Sequence, residues 1–266
     1  MHTLKIIKSS IVRHALDPEW EELFPKALRA RTPRIWRMAR VAVDTIVSDG
    51  TARPKSLISA TALGALDETK SYFDGLFNDG FGSPRSFIAS VHNSMAGKIA
   101  LDFKISGPNL TVCDGHNSFA SAIVTASILS KIDFPALVLV IDENIRLLDD
   151  IIPNLSGICK EHLNPQWEEA AVAFLLDQNP EMEKPHIAAV GPRLADNGTA
   201  QEKCITMAKT SGVPDISIAF LHETSDSFIK PAIKAYELVN NSLQGNYALC
   251  SYSPSAKAAA VVILCK

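Results

Sequence analysis

The sequence predicts a layered α/β fold in which helices cover a largely parallel sheet. Strand-like and helix-like segments alternate along most of the 266 residues, and this order is typical of α/β proteins. Residues 135–141 form a continuous apolar run, the pattern of a strand that is buried on both faces. With 47% hydrophobic and 21% charged residues, the chain can bury a large core.

The first elements are predicted from the spacing of apolar residues. A strand is expected over residues 3–11. A helix over residues 35–47 places Trp36, Val43 and Ile46 on one apolar face. The elements that follow are, in chain order, a strand at 57–60, helices at 66–77 and 88–103, a strand at 110–113, a helix at 118–130 and the apolar strand at 135–141.

The second part of the chain continues the alternation. Pro153, Gly157 and Pro165 interrupt residues 142–166, which we interpret as a lid or an interface loop. The elements expected after it are strands at 169–176 and 187–190, a helix at 200–210, a strand at 216–220, a helix at 228–240 and strands at 246–251 and 258–264.

Composition excludes several classes of protein. A formal net charge of −3 provides no electrostatic footprint for nucleic acid. No apolar run reaches the roughly 18 residues of a membrane helix, and the N-terminus has no signal-peptide pattern, so we expect a cytoplasmic protein. The five cysteines are widely spaced and form no CxxC pair, which predicts reduced, mostly buried thiols, with neither a disulfide framework nor a zinc site.

Familiar catalytic and nucleotide-binding motifs are absent. The sequence has no G-x-S-x-G, no G-x-G-x-x-G after a strand and no G-x-x-x-x-G-K-[ST], so hydrolase, dinucleotide and nucleotide functions have no support, and no cofactor is predicted. Asp114, His116 and Ser118 lie together, but neighbours on one tight turn cannot align into a catalytic triad.

Residues 110–120 predict a strand, a tight turn and a helix. Such a turn presents one side chain at the top of a sheet, close to the N–H groups of the helix start, and here that side chain is His116. Helix capping by the imidazole is the structural alternative to a chemical role. Cys113, at the end of the strand, is expected to point away from the turn as a buried and inert thiol.

The segment that leads to this turn contains a set of residues at fixed spacing: Ser83, Pro84, Asn93, Ala96, Gly97, Gly107 and Pro108. In these residue types it resembles the active-site approach of β-ketoacyl synthases of the thiolase superfamily. Those enzymes place their catalytic cysteine eight residues after a Gly-Pro pair, and His116 occupies that position here. The chain is most similar to the β-ketoacyl synthase-like N-terminal domain family, associated with aryl polyene and flexirubin-type pigment clusters.

The resemblance implies a thiolase-like α-β-α-β-α layered fold with a shortened second half. The expected units are residues 1–190, the ketosynthase-like first half, and residues 191–266, a truncated second half packed with it. The two histidines of competent ketosynthases are not both present: His222, in the run LHETS, weakly matches one, and the other has no counterpart. An acyl-imidazole at His116 would also be too labile to store a growing chain.

The family therefore implies a catalytically incomplete, chain-length-factor-like subunit in polyketide or fatty acid biosynthesis. It would pair with an active β-ketoacyl-ACP synthase, interact with acyl carrier protein and shape the acyl or polyene tunnel. Interface or tunnel positions that the resemblance implies are Ser86, Phe87, Val91, Leu110, Val112, Cys113, His116 and Phe119.

Two other functions stay open at this stage. A diverged acyltransferase or hydrolase of the same superfamily would use His116 as its base, with His222 as a possible partner. A homodimeric module that binds acyl chains would need no ketosynthase.

Five arginines between Arg29 and Arg40 form the one dense basic cluster in the sequence. We interpret it as a solvated helix face, with contact to an acidic carrier protein as the alternative.

Overall fold

The structure is a computed structural model, and it describes residues 3–14, 16–48, 50, 53–146, 168–178, 185–194, 199–221, 227–241, 243–252 and 257–265. Most of the predicted lid or interface loop, from residue 147 onward, lies outside these ranges, as does His222. No helix in the described ranges has the length and apolar character that crossing a membrane requires.

Nine strands among the described residues form one sheet. They are β1 (Leu4–Arg13), β2 (Ser56–Ala60), β3 (Asn109–Val112), β4 (Ala136–Asp142), β5 (Ala170–Asp177), β6 (His186–Leu194), β7 (Ile216–Leu221), β8 (Gly245–Tyr252) and β9 (Lys257–Cys265). Their order across the sheet is β3-β2-β4-β5-β1-β6-β9-β8-β7. The apolar run at residues 135–141 is confirmed as β4, in which all seven residues are buried.

The sheet is mixed, and the prediction of a largely parallel sheet was wrong. Strand β2 is parallel to β3 and β4, and β7 is parallel to β8, whereas β1, β5, β6 and β9 pair antiparallel with their neighbours. Strands joined without a crossover helix, such as β8 and β9, pair antiparallel. The predicted order already places the last two strands together with no helix between them, which was a signal for antiparallel pairing.

Eight α-helices lie in the described ranges. They are α1 (Lys26–Arg29), α2 (Arg34–Val47), α3 (Leu66–Asn78), α4 (Pro84–Ser90), α5 (Ser94–Phe103), α6 (Ser118–Ser127), α7 (Ala200–Lys209) and α8 (Lys230–Asn240). The helix predicted over residues 88–103 is in fact two, because the backbone of Val91 is extended and ends α4. A Cβ added to Gly97 would meet no described atom within 4 Å beyond its own helix backbone and chain neighbours, so nothing packs closely against this glycine.

The helices and strands form five layers. Helices α6 and α8 make the central layer, since each contacts strands of both halves of the sheet: α6 packs on β2, β4, β6 and β9, and α8 on β1, β5, β8 and β9. Helices α2 and α5 cover the outer face of the first half, and α7 covers that of the second. The predicted α-β-α-β-α arrangement is confirmed.

A short contact joins the two halves of the sheet. Strand β1 pairs with β6 only at Leu4–Ile187 and Lys5–His186. Strand β6 then pairs with β9 along most of its length. The boundary predicted at residue 190 falls inside β6, and the division of the chain into two units stays a prediction.

Candidate functional site

The turn after β3 is held by the first residue of α6. Ser118 Oγ accepts a hydrogen bond from the backbone N–H of Asp114 at 2.9 Å. The same hydroxyl lies 3.1 Å from the Thr61 carbonyl oxygen and 2.8 Å from that of Gly115, and its proton is donated to one of them. Gly115 has a φ of +52°, a left-handed conformation that glycine adopts at little cost. The sequence thus forms the tight turn that its pattern predicts.

His116 lies on a 3-10 turn, Gly115–Asn117, between β3 and α6. The residue is 9% exposed. Its imidazole contacts the ring of Phe228, with ring centroids 4.3 Å apart and a tilt of 45°. Phe228 comes just before α8, so two residues that are far apart in the sequence meet at the turn. Sequence spacing alone contains no signal for this contact.

Asn117 is fully buried and binds the turn to the last two strands. Its Oδ1 accepts a hydrogen bond from Ser251 Oγ of β8 at 2.8 Å. Its Nδ2 donates to the carbonyl oxygen of Lys257, the first residue of β9, at 3.3 Å. Sequence reasoning missed this residue because it concentrated on the neighbouring imidazole.

The three polar residues on the turn have different partners. The Asp114 carboxylate accepts from Ser121 Oγ at 2.9 Å and lies 3.6 Å from Lys257 Nζ. Ser118 is bound to backbone atoms, as described above, and His116 contacts Phe228. The Asp114 carboxylate and the Ser118 hydroxyl are therefore bonded to different groups and not to each other.

Cys113 differs from its prediction as a buried thiol. The residue is exposed, and its Sγ donates to the Ala62 carbonyl oxygen at 3.2 Å. Partial desolvation, and then the carboxylates of Asp142 and Asp114, raise the pKa of this thiol, which makes the nucleophilic thiolate scarcer. Cys204, Cys250 and Cys265 are buried as expected. Cys113 is exposed because it follows β3, the terminal strand at one end of the described sheet.

A buried carboxylate at the end of β4 holds the loop beneath the turn. Asp142 Oδ1 accepts from Thr61 Oγ1 at 2.7 Å and from the N–H groups of Ala62 and Leu63 at 2.9 and 3.1 Å. This loop in turn carries the carbonyl oxygens that face Ser118 and Cys113. Burial raises the pKa of Asp142 to about 6, although the three hydrogen bonds oppose the shift.

The basic cluster is not a solvated helix face, so that interpretation was wrong. Arg34 Nε lies 2.9 Å from Glu169 Oε1, and its Nη2 lies 3.7 Å from Glu143 Oε2. Arg37 pairs with Glu21 at 3.0 Å and Arg40 with Asp102. These guanidinium groups stabilise the packing of α2 against neighbouring elements. Arg31 is exposed.

Glu143 belongs to the same buried network. Its Oε1 accepts a hydrogen bond from the backbone N–H of Asp67 in the first turn of α3, at 3.0 Å. Burial raises the pKa of Glu143 to about 7, and Arg34 opposes the increase. The carboxyl end of β4 therefore anchors both the loop below the turn and the start of α3.

Among the described residues, β3 is the terminal strand of the sheet and pairs only with β2, so its other edge is free there. Leu110 is 43% exposed on this strand. Leu101 of α5 and Ile128 after α6 are also exposed. An apolar edge strand of this kind is a liability in a monomer and a ready surface for a partner.

Helices α3 and α4 carry an exposed aromatic surface. Helix α3 has no buried residue, and its Phe73 and Phe77 stack with centroids 5.8 Å apart. Tyr72 contacts Phe73 and also reaches Phe87 of α4, at 5.6 and 5.3 Å. Helix α4 packs on α5, and α5 packs on β3, so a series of contacting elements links α3 and α4 to the free edge. The aromatic residues of α3 were not singled out from the sequence.

Of the other predicted tunnel positions, three lie on or next to α4, and two lie on β3 and α6. Phe87 and Val91 are exposed on or next to α4, where Ser86 is half-buried. Val112 is half-buried on β3, whereas Phe119 is buried in the central layer and stacks on Phe174 of β5 at 5.7 Å.

Several residues that match ketosynthases in type have a local structural role. Ser83 caps α4 by accepting a hydrogen bond from the Ser86 N–H at 3.4 Å, and Pro84 occupies the first turn, where a missing N–H costs little. A Cβ on Gly107 would meet the Lys55 carbonyl oxygen at 2.4 Å, so only glycine fits there. In the described part of the chain, no three His, Cys, Asp or Glu side chains are grouped to hold a metal ion.

Three solved structures are similar over nearly the whole chain. A structure described as the ishigamide ketosynthase/chain length factor matches with a TM-score of 0.74 and 16% identity, covering 99% of this chain and 100% of the other. The ketosynthase ApeO in complex with its chain length factor ApeC, from Xenorhabdus doucetiae, matches with a TM-score of 0.58, 14% identity and coverages of 98% and 99%.

The third structure is AntDE:AntF, a type II polyketide synthase acyl-carrier protein in complex with its ketosynthase bound to the hexaketide. It matches with a TM-score of 0.71 and 11% identity, covering 100% of this chain and 99% of the other. At these identities the likeness shows the fold, which is the thiolase-like fold of ketosynthases. No protein of curated function has a significantly similar sequence.

The sequence itself matches a family model. The model described as the β-ketoacyl synthase, N-terminal domain, covers residues 12–223, which include the turn, the loop beneath it and the exposed aromatic surface. With this match over most of its length, and with the five-layer fold, the chain belongs to the β-ketoacyl synthase N-terminal domain family.

Proposed function

We propose that the chain is a chain-length-factor-like subunit, catalytically incomplete, which pairs with an active β-ketoacyl-ACP synthase and forms part of the wall of its acyl tunnel. The observation that carries the proposal is the free edge of β3, which leads directly into a turn with His116 at the nucleophile position. The partner supplies the cysteine nucleophile and both histidines, and an acyl carrier protein delivers the chain.

The exposed apolar surface supports this pairing. Phe73, Phe77 and Phe87 are exposed on α3 and α4, and α4 contacts α5, which contacts the edge strand β3. Surfaces of this kind are buried in stable subunit interfaces, where aromatic residues are enriched. The solved ketosynthase complexes with the same fold, which include a chain length factor, support the same interpretation.

Three positions on this surface are suited to shape a tunnel. Phe87, Val91 and Leu110 are more than 40% exposed in the isolated chain. Bulky side chains at the meeting point of two subunits would limit the length of acyl chain that fits. We place the contribution of this subunit to chain-length control at these residues.

The experiment is co-expression with the ketosynthase encoded nearest to its gene, followed by affinity purification and native mass spectrometry. A one-to-one heterodimer that elongates chains only when both subunits are present is the expected result. A homodimer with no ketosynthase would contradict the proposal. Acylation of any cysteine of the isolated chain by an acyl-carrier substrate would contradict its catalytic incompleteness.

The interface has a matched test in the two edge strands. Leu110→Glu places a charge on the free edge of β3, and we expect it to abolish the heterodimer while the chain still folds. Ile218→Glu is the control, because Ile218 is 37% exposed on β7, the terminal strand at the opposite end of the sheet. Equal loss of the ketosynthase in both variants would place the interface elsewhere.

A further inference from the structure

A phenylalanine from the second half of the chain covers the residue at the nucleophile position. The ring of Phe228 lies 4.3 Å from the imidazole of His116, centroid to centroid, and His116 is only 9% exposed. Contacts of this kind add to the free energy gained by burial alone. The imidazole of His116 is therefore in direct contact with a side chain of the same molecule.

The segment that carries Phe228 is fixed on both sides. Ser227 is 5% exposed, and its Oγ donates to Glu168 Oε2 at 3.3 Å. Ile229 is fully buried in the core between the two halves of the sheet. With both neighbours anchored, Phe228 has little freedom to move its backbone away from the turn.

We infer that Phe228 is an intramolecular plug, which closes the His116 turn of this subunit to acyl thioesters. Acyl chains then contact this subunit through the outer surface of α4 and β3 and do not enter at the turn. The identity of the excluded ligand rests on the proposed function. The closure itself is a property of the isolated chain and is tested separately.

The test introduces a thiol beneath the plug. The starting protein carries Cys113→Ala, which removes the exposed thiol nearby, together with His116→Cys. Iodoacetamide alkylates the new thiol when the thiolate sulfur displaces iodide from carbon, with the thiol proton passing to water. Peptide-resolved mass spectrometry measures the rate with native Phe228 and with Phe228→Ala.

We expect Phe228→Ala to accelerate alkylation by about tenfold or more, the factor that corresponds to about 1.4 kcal/mol. Phe228→Tyr is the matched control, because it keeps the aromatic ring and should keep the slow rate. Equal rates with phenylalanine and alanine at position 228 would overturn the inference.

A second measurement needs no substitution. Diethyl pyrocarbonate modifies accessible imidazoles, and His92 is exposed in the same molecule. We expect His116 to react about tenfold more slowly than His92, as a covered ring should. Equal reactivity would exclude the plug even if the Phe228→Ala protein failed to fold. Slow modification of His116 in a protein that forms no heterodimer would contradict the proposed function and leave the plug standing.

Discussion

At the scale of single residues, the buried amide of Asn117 joins the turn after β3 to the opposite half of the sheet. Both of its polar atoms have partners, Ser251 Oγ and the Lys257 carbonyl oxygen. Buried groups of this kind are costly when one partner is removed, because the other loses its hydrogen bond without regaining water. The stability of the turn therefore depends on residues more than 130 positions away in the chain.

Asn117→Ala should lower the free energy of unfolding by about 1–3 kcal/mol, because it leaves the Ser251 hydroxyl without its acceptor in a buried site. Urea denaturation followed by circular dichroism measures the change. Asn109→Ala is the matched control, since Asn109 is exposed at the start of β3, and it should have little effect. A loss of similar size in both variants would show that burial of the Asn117 amide does not explain the effect on stability.

At the scale of elements, the carboxyl end of β4 organises the site. Asp142 holds the loop after β2 and Glu143 holds the first turn of α3, and both side chains are buried. Their pKa values, about 6 and about 7, lie above those of exposed carboxyls. Folding thus favours their protonated forms, and the corresponding stability is lost as the pH rises through these values.

The pH dependence can be isolated for Asp142. Its contribution to stability is fully present below about pH 4 and is lost as the pH rises through about 6. In Asp142→Asn, the amide oxygen can still accept the three hydrogen bonds, but the side chain does not titrate. The difference in unfolding free energy, native minus variant, should fall by on the order of 2 kcal/mol between pH 4 and pH 7. A difference that is constant with pH would refute a raised pKa for Asp142.

The sequence predicts these elements better than their arrangement. The apolar run of β4 and the turn around His116 are local patterns, and the structure contains both. The direction of β1 depends on pairing with β5, far away in the chain, so no local pattern encodes it. The contact between His116 and Phe228 likewise arises only when α8 packs into the central layer.

At the scale of the whole molecule, one side carries an unusual amount of exposed apolar surface. Phe77 on α3 is 78% exposed, and Phe81, between α3 and α4, is 68% exposed. The family resemblance pointed to Phe87 and Val91 on this side. The aromatic face of α3 became visible only when the helix was seen to bury none of its residues.

Phe77→Ser should leave the stability of the isolated chain unchanged to within about 0.5 kcal/mol, because the ring makes few contacts within the chain. Binding to the ketosynthase should weaken by roughly tenfold or more, since aromatic residues buried at interfaces commonly contribute over 1 kcal/mol. Titration of the purified subunits measures the affinity. Leu23→Ser, at an exposed position outside this surface, is the control. Equal affinities of the two variants would argue against α3 as part of the interface.

The position of β1 in the sheet has a consequence for biosynthesis of the chain. This strand leaves the ribosome before the other described strands, yet its neighbours in the sheet are β5 and β6, which begin at Ala170 and His186. At usual translation rates of about 5–20 residues per second, β1 waits roughly 10–30 seconds for its first partner. During that time its N–H and C=O groups stay open to wrong pairing. The nascent chain therefore depends on chaperones or on fast capture of β1 once β5 emerges.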